Sequence, residues 1–293
     1  RNPFDRFAQA LSRSEYIGRI QRIFCYNDHL GYHNNSRWLN FAQSDPEWVI
    51  AVSHHIEHPY AYTQPQRRKE REAFTTRFFQ FPTVAVHDVS CGHGKGLLGR
   101  QPRPGHQEWH GPLGTLSLQR IGNKGSNDLR FEIRRVLRDN FGEAQEAHGN
   151  LFNGGDADQV FPVQWDANVD DGVRIWSDTA DGRIEYQIPF CPPLTHDRTA
   201  PSTWTAGVME HLVDFALAIR GVRDSEFTDR HARVSEMMEI GARQSAEAGG
   251  DRIPFPIDGE VPLDNTIRAE LRQKYGVDPL DVEAMLAISY PQP

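Results

Sequence analysis

The sequence predicts an α+β fold with a mainly antiparallel β-sheet. Three observations lead there. Strand-like segments fill the first two thirds of the chain and helix-like segments the last third, the order of segregated elements. "LRFEIRRVL" alternates apolar and charged residues, as a strand with one solvated face must. No stretch repeats the strand–helix–strand alternation of a doubly wound parallel sheet.

Taken in order, Phe4, Phe7, Ala8 and Leu11 share one face of an opening helix. "SEYIG" breaks it, and Ile20, Ile23 and Phe24 predict a strand. Residues 34–43 predict a short helix with Trp38, Leu39 and Phe41, and "EWVIAVSHHI" a strand. The charged run over 57–72 reads as a surface excursion. "AFTTRFFQFP" and "TVAVHDVSC" predict neighbouring strands parted by Pro82, and "GPLGTLSLQRI" another. "GVRIWSDTADGRIEYQIPF" predicts a hairpin turning at Asp181-Gly182. Farther on, "TAGVMEHLVDFALAIRG" predicts a helix that buries Val208, Leu212, Phe215, Leu217 and Ile219 and stops at Gly221. A second long amphipathic helix runs from "SEFTDRHARV" to Gly249-Gly250. Two short helices near 264–275 and 279–288 close the chain.

The 293 residues suffice for one large domain or two ordinary ones. A formal charge of −8 repels phosphate backbones, which argues against nucleic acid as a partner. Cys25, Cys91 and Cys191 form neither a metal pair nor a disulfide framework, pointing to a reducing, cytoplasmic setting. No apolar run reaches the length of a membrane span, so no membrane partner is expected. The chain opens on Arg1 rather than methionine, and we expect sequence upstream of it.

Three stretches could carry chemistry. In "FCYNDHLGYHNNSRW", His29 and His33 lie four apart, as metal-binding histidines do on a helix. Leu30 stands where a zincin has its glutamate, and Gly31 interrupts the helix. A polar strand exit and a lone acid/base histidine at His33 are the other readings. "SCGHGKGLLGRQPRPGH" has a glycine texture like that of dinucleotide loops, but Pro102, Pro104 and Gly105 forbid the helix such a loop must open. It reads either as a connection or as a loop offering Lys95 and Arg100 to an anionic or hydroxylated ligand. Nine of the 13 histidines precede residue 111, yet sequence alone does not bring three of them to one metal.

Several stretches resemble the Gfo/Idh/MocA family, the glucose-fructose oxidoreductase and inositol dehydrogenase group. "MEHLVDFALAIRGVRDSEFTDRHARVSEMMEIGARQSAEAGGDRIPFP" is similar to its terminal helix pair, "HQEWHGPLGTLSLQ" to its G-t-x-G-t-l-x-l strand, and "SEYIGRIQRI" to the entry of its sheet. "GYHNNSRWLNFAQSDPEWVIAV" resembles its G-x-H-x-x-D helix and following strand. The resemblance covers residues 1–258 and implies a large open, mainly antiparallel β-sheet with helices packed on one face, the family's substrate-binding and oligomerisation domain, with 259–293 a helical extension. It implies that the family's N-terminal Rossmann domain, with GxGxxG and the catalytic lysine, is absent from this chain. NAD or NADP is expected in a full-length enzyme, with none bound by this chain alone. His33 aligns with the histidine that handles the substrate hydroxyl proton, while the family's aspartate falls on Ser36. Asn34 and Arg37 become candidate substrate contacts beside Lys95 and Arg100.

The expected function is the substrate domain of an NAD(P)-dependent oxidoreductase acting on a carbohydrate-like, polyhydroxylated small molecule. Homo-oligomers are expected through the free sheet face. The alternatives are a non-catalytic binding or scaffold module and an NAD-dependent glycosidase of the same superfamily.

Overall fold

The structure is a computed structural model that describes residues 2–27, 32–56, 72–91, 105–120, 129–136, 158–168, 172–188, 203–259 and 261–289. The surface excursion over 57–71 and the glycine-rich loop with Lys95 and Arg100 lie outside them.

Helix α1 (Pro3–Ser14) begins where Asn2 caps it, accepting from the Phe4 N–H at 2.9 Å, with proline at the first helical position. Phe7, Ala8 and Leu11 are buried, as their spacing predicts. Strand β1 (Arg22–Asn27) leads to α2 (Tyr32–Ala42), and then come β2 (Trp48–Ile56), β3 (Glu72–Gln80) and β4 (Ala85–Cys91). The hairpin of β5 (Gly105–Gly111) and β6 (Gly114–Arg120) is followed by β7 (Leu129–Val136) and β8 (Asp158–Pro162). Strands β9 (Gln164–Asn168), β10 (Gly172–Thr179) and β11 (Gly182–Ile188) precede helices α3 (Thr203–Ile219) and α4 (Asp229–Glu247). Two-residue β12 (Ile253–Pro254), α5 (Pro262–Tyr275) and α6 (Val282–Leu286) complete the chain.

Nine strands make one sheet in the order β12-β2-β3-β4-β1-β5-β6-β7-β8. Its neighbours pair antiparallel except β1 with β4, whose crossover runs through α2, β2 and β3. The predicted fold class is therefore the observed one. A second sheet, β11-β10-β9, packs on α1, so that helix is covered on both sides. Phe4 and Phe7 meet Phe131 edge-on at 5.5 and 5.7 Å. The glycines of "GPLG" have a steric reason. A Cβ at Gly111 would lie 2.2 Å from the Ile17 carbonyl oxygen, and one at Gly114 2.2 Å from that of Arg134.

Two expectations need correction. The hairpin turns at Ala180-Asp181, one residue early, because Gly182 already opens β11 with φ +120°. Helix α3 faces the other way: Leu212 is 54 % exposed, Phe215 58 % and Ile219 71 %, while Ala206 and Asp214 are fully buried. Val208 is also exposed and Leu217 only half-buried. Among the described residues no helix is long and apolar enough to cross a membrane.

Helices α2 and α4 cover the sheet face that carries Val49, Ala51, Phe79, Val86, Ile23 and Trp109. The opposite face divides in two. Trp48, Ile50, Phe78 and Phe24 make an apolar half, and His106, Glu108 and His110 begin a polar one at alternate positions of β5. Both oxygens of Glu108 are engaged, by His106 Nε2 at 2.9 Å and His110 Nε2 at 2.8 Å. Arg22 donates its Nε–H to His110 Nδ1 over 3.1 Å. A guanidinium has no lone pair, so His110 Nδ1 is the acceptor and its proton sits on Nε2.

Burial opposes the Glu108 charge, but the hydrogen bond from His110 and the neighbouring imidazoles outweigh it and hold the carboxyl below the usual range. His87, across Phe24, is held below the usual imidazole range first by burial and then by its neighbours Arg22 and His110. Both folded-state values are depressed, so the unfolded chain takes up more protons on acidification, and stability falls with pH. The urea midpoint should fall as the pH drops through the ordinary imidazole value of about 6.5, where the unfolded chain takes up the His87 proton ahead of the folded one, and again through the ordinary glutamate value of about 4.3 for Glu108. His87→Gln should flatten the first fall and leave the second; an unchanged first fall would refute that assignment.

Candidate functional site

Helix α2 works with two faces. Toward the sheet it sends Asn34, Asn35, Trp38 and Leu39, each at most 2 % exposed. Their partners come from the inward positions of β3 and β4, where alternation places Arg77 beside Phe79 and Asp88 beside Val86. Asp88 is wholly buried and accepts from Asn34 Nδ2 at 3.2 Å, from Trp38 Nε1 at 3.0 Å and from Arg77. Arg77, 1 % exposed, also donates to Asn35 Oδ1 at 3.0 Å and to Glu239 Oε2 on α4 at 3.1 Å. Asn35 Nδ2 in turn donates to the Ser235 carbonyl of α4. Both buried charges of this cluster, Asp88 and Arg77, thus have an opposite charge and hydrogen bonds, the condition under which burial of ions is tolerated.

The other face of α2 borders a cavity of about 260 Å³. Ser36, Arg37 and Asn40 line it from α2. Across it stand Asn2, Asp5, Arg6 and Gln9, one stripe of α1 at helical spacing, and His211, Glu226 and Phe227 close the far side. Arg37 grips both oxygens of Asp5 at 2.7 and 2.8 Å and reaches Asn34 Oδ1 at 3.0 Å and Gln107 Oε1 at 2.7 Å. Burial works against its charge, but Asp5 more than offsets this and keeps Arg37 cationic. Arg6 donates to Gln9 Oε1 at 3.0 Å and pairs with Glu226. The cavity is smaller than the roughly 300–1,000 Å³ of drug-sized sites and suits a small ligand. Its walls offer amides, a hydroxyl and carboxylates, groups that exchange hydrogen bonds with hydroxyls.

Of the residues singled out from sequence, Arg37 borders this cavity and Asn34 turns its amide to Asp88. His33 sits in the first turn of α2, with its side chain outside the described residues. Lys95 and Arg100 fall outside the described residues, as does His29. Sequence reasoning missed Asp5, Arg6, Asp88 and Glu226. Asp88 left a signal, a charge at an inward strand position; Asp5 looked like an ordinary acid in a helix's first turn. Among the described residues no group of three or more His, Cys, Asp or Glu could hold a metal ion. Among the described residues no strand passes through a glycine loop into a helix of a βαβ unit, the arrangement that holds a dinucleotide in doubly wound sheets.

No family model and no curated protein matches the sequence. Solved structures do resemble the fold. An oxidoreductase from Agrobacterium radiobacter, in complex with NAD+, L-tartaric acid and magnesium, is 11 % identical over 85 % of this chain and 61 % of its own, with a TM-score of 0.48. Aldose-aldose oxidoreductase from Caulobacter crescentus, complexed with glycerol, is 10 % identical over 87 % and 61 %, at 0.44. An NAD-binding protein from Listeria innocua is 11 % identical over 86 % and 60 %, at 0.43. The chain spans about three fifths of the length of these proteins.

Removing one partner of the buried cluster should be costly. Asp88→Ala is expected to lose about 3–5 kcal/mol in urea unfolding, because Arg77 is left buried without that carboxylate. Asp88→Leu with Arg77→Met should lose less than the sum of the two single changes. Strict additivity would mean that the two side chains do not act as a pair.

Proposed function

We propose that this chain forms the substrate side of an NAD(P)-dependent oxidoreductase acting on a sugar-like, polyhydroxylated small molecule. The observation that carries this reading is the stripe of α2 at 36, 37 and 40, which runs along a cavity walled by hydrogen-bonding groups. His33 would accept the proton of the substrate hydroxyl, or return it in the reverse direction. Imidazole suits the task because it changes charge near neutrality. The contribution assigned to this chain is to bind and orient the substrate and to move that proton. Arg37 would act through the Asp5 carboxylate it fixes at the cavity wall. Lys95 and Arg100 are proposed as further substrate contacts. The open face of the nine-stranded sheet, half of it apolar, is proposed as the surface on which a second copy of the chain packs.

The test is turnover in the native gene product, with a panel of polyols and either NAD or NADP. His33→Ala should lower kcat by roughly 10²–10⁴-fold with the urea midpoint unchanged. Wild-type turnover in that variant would rule out His33 as the base. Polyol binding without reduction of either nicotinamide would identify a binding module, and release of an aglycone from a glycoside would identify a glycosidase.

A further inference from the structure

The charges around the cavity, taken together, say which ligands it excludes. Two guanidiniums line it, and each is matched by a carboxylate lining the same cavity: Arg37 by Asp5, and Arg6 by Glu226. Arg37 is further occupied by Asn34 and Gln107, and Arg6 has a second carboxylate, Glu210, at 4.0 Å from its Nε. The remaining polar walls are the neutral groups of Asn2, Gln9, Ser36 and Asn40, with the imidazole of His211. A phosphate or carboxylate entering here would meet no uncompensated guanidinium, and would lie beside two carboxylates in a partly desolvated space. An uncharged polyol meets fixed donors and acceptors of both kinds and leaves both ion pairs intact.

We infer that the cavity selects uncharged polyols against sugar acids and sugar phosphates, with Asp5 and Glu226 as the residues that set this choice. The inference rests on the oxidoreductase reading only for the cavity being the substrate site. The two acids differ in how far they can be altered. Asp5 is 8 % exposed and holds Arg37 in place, so its removal would disturb the packing of α1 on α2. The Glu226 side chain is 40 % exposed. Its segment is held without that carboxylate, because the Glu226 backbone N–H and the Ser225 hydroxyl both donate to buried Asp214, at 3.1 and 3.0 Å. Glu226→Gln therefore keeps the loop and the shape of the cavity while removing one negative charge from its wall.

The experiment is calorimetric titration of the native gene product with three probes on one carbon skeleton: D-glucitol, D-gluconate and D-glucitol 6-phosphate, at fixed ionic strength. The wild-type protein should bind D-glucitol tightest. In Glu226→Gln the two anions should gain roughly three- to tenfold in affinity while D-glucitol changes little, since Glu210 still compensates part of the Arg6 charge. Wild-type binding of either anion as tight as D-glucitol would overturn the charge selection and leave the oxidoreductase reading standing. An anion affinity untouched by Glu226→Gln would overturn the role of that residue. Failure of all three to bind a protein that still oxidises a polyol would show that the cavity is not the substrate site.

Discussion

Asp88 has no contact with water, and much of the molecule is arranged around that fact. A bare carboxylate in an apolar interior is untenable, so it must be met by donors and by an opposite charge. Asn34 and Trp38 of α2 and Arg77 of β3 supply them, and Arg77 carries the connection on to Glu239 of α4. One carboxylate thereby fixes two helices on the covered face of the sheet. Apolar contacts tolerate sliding of a helix by small shifts of side chains; a buried, hydrogen-bonded charge does not. The register of α2 against the sheet follows.

That register decides what α2 presents on its far side. With positions 34, 35 and 38 committed to the sheet, helical geometry leaves 36, 37 and 40 toward α1 and the cavity. Arg37 joins the two sides, for it reaches inward to Gln107 of β5 and outward to Asp5 of α1. The cavity wall is therefore not a separate construction laid on the fold. It is the reverse side of the polar cluster that orients the helix, and a change at Asp88 would be felt at Ser36 and Asn40 without touching either.

The sheet was legible in the sequence because its signals are local. Alternation in "LRFEIRRVL" and "EWVIAVSHHI", the break at Pro82 and the glycines of "GPLG" each act within a few residues. His33 was reached through resemblance, and its side chain lies outside the described residues. The pairings Arg37–Asp5 and Arg77–Glu239 were not legible, because they join residues far apart in the chain and nothing in either segment names the other. Asn34 shows the limit well. A polar residue next to a candidate histidine reads as a ligand contact from sequence, yet its amide serves Asp88.

Helix α3 shows the same physics with a different outcome. Its apolar residues at 208, 212, 215 and 219 repeat at helical spacing, and by periodicity alone they should turn inward. Asp214 lies on the same helix, fully buried, and takes hydrogen bonds from the Ser225 hydroxyl and the Glu226 N–H and an ion pair from Arg223 at 2.9 Å. Those donors all come from the segment that joins α3 to α4, so the rotation that buries Asp214 is also the one that fastens the loop carrying Glu226. Rotating α3 to bury Leu212 and Phe215 would recover a few kcal/mol of apolar burial. It would also move the Asp214 carboxylate away from the donors it now has and release the loop. In this chain buried carboxylates, more than apolar stripes, settle which way a helix faces, and the loop fastened by Asp214 is the one that brings Glu226 to Arg6 at the cavity.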